Sequence, residues 1–228
     1  MNQRFLSAPQ ANMTTGLGAK GALVTGFLAL LLVVPWLPGA AVGATERSPQ
    51  ALVEEVSSDV LGALRNRDSD ITGDREKLVA LIEERVAPYF DFRLMATQVL
   101  GHHWRDASEQ QRQHFTAAFK QLLTNTYAAV FRRYENQTVQ VHAAESTSSP
   151  DRVMVPTSIV TPGQQDIGVD YRLYRRNNKW QVYDVVVDGI SLLINYRSEY
   201  SRLLQGESLD SLIARIEAKN AAFLKEAP

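Results

Sequence analysis

Apolar residues recur along this chain with two different periods, and the period changes between Tyr134 and Thr138. Up to Tyr134 the spacing is helical. Ser48-Pro49 reads as an N-cap followed by a proline in the first helical position, after which Leu52, Val56, Val60 and Leu64 recur every four residues. Asn66 to Gly73 is a polar, glycine-containing break. Asp74 then caps a second helix with Leu78, Leu81, Ile82 and Val86 on its face, ending before Pro88. A short helix follows Asp91, carries Leu94, Met95, Val99 and Leu100, and stops at Gly101. Ser108 with Gln111 forms a capping box that opens the longest helix, expected to reach about Tyr134. Its apolar face is Phe115, Phe119, Leu122, Leu123, Tyr127 and Val130.

From Thr138 the period drops to two. Thr138–His142, Arg152–Val160 and Ile167–Arg175 alternate, and Lys179–Val187 is rich in β-branched and aromatic residues. Asn177-Asn178 is a tight turn joining the last two as a hairpin. Pairing across it sets Leu173 opposite Val182, Tyr171 opposite Asp184 and Val169 opposite Val186. One face then carries Val169, Tyr171, Leu173, Trp180, Val182 and Val186, and the other Asp170, Arg172 and Tyr174. A shift of one residue would turn one strand over. Gly189 ends the sheet, Ile190–Leu204 reads as a helix, and Ser208 opens a last amphipathic helix through Leu209, Leu212, Ile213 and Ile216. The expected fold class is α+β, an antiparallel sheet of about four strands packed by helices, without internal repeats.

The first 44 residues are different material. Arg4 and Lys20 are their only charges, an apolar run follows from Gly21 to Val34, and Pro35 and Pro38 break it. Small residues close the segment, with Val42 and Ala44 at the −3 and −1 positions of a cleavage before Thr45. This is the pattern of a secretory signal peptide, residues 1–44, with Met13 an alternative start. An uncleaved anchor is the competing reading, but the apolar run of 14 residues falls short of the ~20 that cross a bilayer. Residues 45–228 are expected to form one domain.

Composition narrows the function classes. The 228 residues hold 24 basic and 25 acidic side chains; loss of the first 44 removes two of the basic ones and no acid, moving the net charge from −1 to −3. No basic excess exists to bind nucleic acid. There is no cysteine, so thiolate nucleophiles, disulfides and cysteine-ligated metals are absent, which fits export to a periplasm. His102-His103, His114 and His142 lack the helical His pair with Glu of a zinc protease, and neighbouring histidines are expected to point to opposite sides, so no metal is expected. Ser191 lies in GISLL, which lacks the second glycine of a nucleophile elbow. Asp184 beside Tyr171 is the one suggestive pair. On an apolar face such a carboxylate is either a general base, as in a small-pocket isomerase or dehydratase, or a structural hydrogen-bond acceptor at the strand-to-helix corner. The structural role is the favoured one. The larger signal is apolar excess: Phe90, Phe92, Leu94, Met95 and the face of the long helix crowd together opposite an apolar sheet face.

Two stretches resemble a known family: PYFDFRLMATQVLGHHWRDASEQQRQHFTAAFKQLL, Pro88 to Leu123, and WQVYDVVVDGISLLINYRSEY, Trp180 to Tyr200. A Gly-x-x-Trp ahead of a serine-capped, Phe-rich helix, and Trp-x-Val-Tyr-Asp running into Asp-Gly-Ile-Ser-Leu, are together similar to MlaC, the periplasmic phospholipid-binding component of the Mla lipid-transport system, also described as toluene-tolerance proteins. The resemblance runs from about Leu52 to Ile216. It implies a twisted antiparallel sheet and helices enclosing a deep apolar cavity, which takes the acyl chains while the headgroup stays near solvent. It also implies two partners besides phospholipid: an outer-membrane lipoprotein–porin complex and an inner-membrane ABC transporter carrying an MCE protein. Lipid passing between them would maintain outer-membrane asymmetry.

By position, the resemblance implies cavity residues on the helices at Phe90, Met95, Val99, Phe115, Phe119, Leu122 and Leu123. The strands add Val155, Ile159, Val169, Tyr171, Leu173, Val182 and Val186, and the C-terminal segment Ile190, Leu193 and Tyr196. Arg197 is a candidate near the phosphate. Two chains of roughly 16 carbons carry about 28 methylenes, so about 20 kcal/mol opposes a lipid crossing water alone. A carrier answers that barrier with an apolar interior, and needs neither a catalytic residue nor a cofactor.

Overall fold

A computed structural model describes residues 47–65 and 73–225; the expected signal peptide lies outside the described residues. Four of the helices begin where a serine or aspartate was expected to open them. In α1 (Pro49–Arg65) the Ser48 hydroxyl accepts from Ala51 N at 3.1 Å. Asp74 accepts from Lys77 N to open α2 (Arg75–Arg85), and Asp91 accepts from Leu94 N to open α3 (Phe92–Leu100). After the short α4 (His102–Asp106), α5 (Glu109–Phe131) starts with both halves of the Ser108–Gln111 capping box in place. Each such cap contributes about 0.5–2 kcal/mol. A single 3-10 turn, Ala87–Tyr89, accommodates Pro88 between α2 and α3.

The strands are β1 (Thr138–Val141), β2 (Glu145–Ser146), β3 (Arg152–Val160), β4 (Ile167–Arg176), β5 (Lys179–Val187) and β6 (Ile190–Ser191). They form one antiparallel sheet in the order β1-β3-β4-β5-β6, with β2 beside β3. The four expected strands are present, and β2 and β6 add two residues each, too few to show a period. Ile190 and Ser191 therefore do not start a helix. Asp188 and Gly189, both at positive φ, fold the chain back so that these residues pair with Val187 and Val186. The helix α6 follows as Leu192–Leu203, then α7 as Leu209–Lys225.

The hairpin register corrects the expected pairing. Asn177 and Asn178 take φ of 50° and 57°, the left-handed pair that matches the twist of a two-residue hairpin, and Leu173 faces Val182 as expected. Beyond that pair Arg172 faces Asp184, so Tyr183 is an extra residue and β5 carries a β-bulge. The register is then one residue on: Tyr171 faces Val185 rather than Asp184, and Val169 faces Val187 rather than Val186. The inner face is therefore Val155, Thr157 and Ile159 of β3, Val169, Tyr171 and Leu173 of β4, and Val182, Val185 and Val187 of β5. Asp184 and Val186 lie on the opposite side, because an uninterrupted strand would have aimed a carboxylate into this apolar face.

The core lies in three parts. Leu52 and Val53 of α1 cover the inner face of the sheet. The second part joins α3, α5, α6 and α7, and the third packs Val60 and Leu64 on α2 and on Ala128 of α5. α3 turns into α4 at Gly101, where φ 58° and ψ −117° suit only glycine and a Cβ would stand 3.2 Å from Arg197 Nη2. Gly101→Ala should therefore lower the free energy of unfolding by about 1–3 kcal/mol in urea denaturation; an unchanged midpoint would contradict this geometry.

Candidate functional site

The residues singled out in the sequence assemble into two apolar layers. Met95, Val99, Phe115, Phe119, Leu122, Leu123 and Leu193 are all buried in the helical layer, where Phe115 and Phe119 stack at 5.7 Å. Val155, Val169, Leu173 and Val182 are buried in the sheet layer, with Ile159 and Tyr171 packed against them. Phe90 alone belongs to both: it bridges to Val182 as a single parallel pair, while Asp91 N donates to Val182 O at 3.0 Å. A domain of this size normally merges its buried side chains into one core. Here α5, which carries the Phe-rich face, packs chiefly on α2, α3 and α7 rather than on the strands.

Accessible surface is kept on both layers. Phe90, Ile159, Tyr171 and Tyr196 are half-buried, whereas twelve of the other predicted residues are closed off. Leu173 is 0% exposed, so this wall position is filled by packing, and it belongs with the sheet rather than with Phe115 and Phe119. Val186 is buried on the other side of β5, and Ile190, paired with Val187 at the sheet edge, is 66% exposed and packed into neither layer. The sequence reading left Tyr127 out of the site, although it lies four residues beyond Leu123 on the same helical face; it packs on the helical layer as well. Burial pushes the hydroxyls of Tyr127, Tyr171 and Tyr196 above their ordinary value, and Tyr127 is pushed further by Tyr196 and Tyr171. Rings from α5, β4 and α6 thus converge on one region. The Tyr196 ring stands edge-on to Phe119 at 5.2 Å.

The polar candidates fall elsewhere. Asp184 is 2% exposed and fully engaged: Ser191 Oγ donates to it at 2.7 Å, Leu193 N at 3.2 Å and Arg172 Nη1 at 3.1 Å. Ser191 Oγ in turn accepts from Ile194 N, so the carboxylate and the serine together cap α6. Tyr171 stands on the other face of the sheet, and the Asp184–Tyr171 pair required by an isomerase-like site does not exist. The Arg197 guanidinium lies over Gly101, at the C-terminal end of α3, where a cation suits the helix dipole. His102 and His103 do not point to opposite sides: their ring centroids are 3.8 Å apart, and burial followed by the charge of His102 lowers the pKa of His103. Among the described residues, no group of His, Asp and Glu is arranged to hold a metal ion. An open groove of about 360 Å³ at the hairpin end, lined by Arg47, Tyr89, Lys179 and Trp180 among others, contains none of the predicted site residues.

Comparison with known proteins places this arrangement. The family model described as MlaC protein matches residues 54–218. The intermembrane phospholipid transport system binding protein MlaC of Haemophilus influenzae is 24% identical over 175 residues, covering 75% of this chain and 82% of its own. The toluene tolerance protein ttg2D of Pseudomonas putida is 24% identical over 191 residues, covering 82% and 86%. A solved phospholipid-binding protein from Ralstonia solanacearum, in complex with a phospholipid, superposes with a TM-score of 0.70 at 26% identity, over 77% of this chain and 98% of that one. Among the described residues, no helix is long and apolar enough to cross a membrane.

Two outcomes follow from the site's electrostatics. Asp184→Asn removes the charge that three donors share, and should cost about 1.5–3 kcal/mol of stability in urea denaturation, since hydrogen bonds to a charged group are the strong ones. Unchanged stability would remove the capping role. The second concerns alkaline pH. Tyr127, Tyr171, Tyr196 and Tyr200 are held neutral by burial, above the ordinary value of 10.0, whereas the unfolded chain ionises there. Their contribution is complete below that value and is lost as pH rises past it. Tyrosinate absorbance from these four should appear only together with unfolding, and a native fold with all tyrosines ionised would contradict their burial.

Proposed function

Because the chain belongs to the MlaC family, whose model spans residues 54–218 of it, we propose that it carries phospholipid across the periplasm, between an outer-membrane lipoprotein–porin complex and an inner-membrane MCE-protein/ABC transporter, so maintaining outer-membrane lipid asymmetry. It is a phospholipid-binding transport protein with no catalytic step of its own. Residues 1–44 are its cleaved signal peptide.

The observation that carries this reading is the pair of apolar layers joined at Phe90, with accessible aromatic surface on both sides of the border. Acyl chains placed there exchange bilayer hydrocarbon for protein hydrocarbon, so the transfer is nearly neutral and the ~20 kcal/mol barrier of bare water is avoided. Near-neutral exchange also means that the direction of transport is imposed by the membrane complexes. Of the predicted residues, Phe90, Ile159, Tyr171 and Tyr196 keep the surface to touch lipid, and those buried behind them shape the wall. The engaged state of Asp184 argues against a general base: three donors hold this carboxylate on the face of β5 opposite the apolar one.

The test is native mass spectrometry of the exported protein. Phospholipid should co-purify with it, and after delipidation it should reload from vesicles. Protein that purifies empty and takes up no lipid would overturn the carrier function.

A further inference from the structure

Two hydroxyls on the interlayer border have no partner among the described residues. Tyr127 of α5 and Tyr171 of β4 each make no hydrogen bond to another described residue. Neither hydroxyl is sealed off as a buried unpaired group, so each is free to donate to an atom that approaches it, as tyrosine hydroxyls at apolar surfaces commonly do. Both side chains keep accessible surface, so the space beside them admits a ligand atom. That atom must be an acceptor. Tyr171 sits between Val155 and Val185 on the inner face, and no cation is among the groups that act on Tyr127, Tyr171 or Tyr196, so nothing here neutralises a phosphate. A neutral carbonyl oxygen fits. A diacyl phospholipid presents two of them, one per chain, at the junction between its polar and apolar parts. The two hydroxyls likewise stand one on each layer. Tyr196 marks the polar side of this junction, with its hydroxyl beside Thr126 and within reach of the Glu199 charge.

We propose that Tyr127 and Tyr171 donate hydrogen bonds to the two ester carbonyls of the bound lipid, which makes the interior selective for ester-linked over ether-linked phospholipids. The inference rests on the carrier function and specifies the lipid chemistry it accepts.

Delipidated protein is incubated with vesicles holding equal amounts of diacyl and dialkyl phosphatidylglycerol of the same chain length, and the loaded lipid is identified by mass spectrometry. The native sequence should load the diester form in clear excess, about fivefold for each carbonyl bond made. Tyr127→Phe and Tyr171→Phe should each remove about one such factor, and the double variant should load both lipids alike, with melting temperatures confirming the folds. If the double variant does not fold, the two single variants carry the test. Equal loading by the native sequence, or an undiminished preference in the single variants, overturns the inference while lipid uptake itself upholds the carrier function. Uptake of neither lipid overturns both.

Discussion

A carboxylate cannot be left in hydrocarbon, and the extra residue in β5 meets that constraint. By inserting Tyr183 opposite Arg172, the strand sends Asp184 away from the apolar face and hands it to Ser191, Leu193 N and Arg172. Two results come from one bulge. The inner face between Val169 and Val187 becomes wholly uncharged, as an interior for acyl chains requires. The start of α6 is also tied to the sheet, which fixes where Tyr196 and Tyr200 meet the Phe115–Phe119 stack. Without the bulge, β5 would offer either a charged interior or an uncapped helix.

The second determinant is the bridging segment Pro88–Asp91. Its 3-10 turn and the Phe90–Val182 bridge attach the helical layer to the sheet, as the start of α6 does through Asp184, while α5 with its Phe-rich face packs on other helices rather than on the strands. A filled core would close this border by packing α5 onto the strands. Phe90, Tyr171 and Tyr196 border it instead and keep accessible surface. That arrangement suits a ligand whose chains vary, because dispersion contacts need no fixed geometry.

Much of this was legible in the sequence because it is local. Ser48, Asp74, Asp91 and Ser108 cap helices through bonds spanning three residues, so these four helix starts could be read directly. The alternating strands and the Asn177-Asn178 turn were equally plain. The bulge was not, since Tyr-Asp in a strand looks like ordinary alternation until the pairing is known, and one missed residue misplaced Val186 and Asp184 together. Ile190 was misread for a related reason: the turn at Asp188-Gly189 makes it a strand residue on the surface. Division of the apolar residues into two layers depends on contacts between distant segments, and no periodicity reports it. The family resemblance supplied the interior that the pattern of apolar positions left undetermined.

The central claim, that lipid lies between the two layers, is tested most directly by light-activated cross-linking. p-Benzoylphenylalanine replaces Phe90, which touches both layers, or Ser158 on the opposite face of β3, in protein loaded with phospholipid. Irradiation should attach phospholipid at position 90 and leave position 158 unmodified. Attachment at position 158 with none at position 90 would place the lipid on the outside of the sheet and contradict the account.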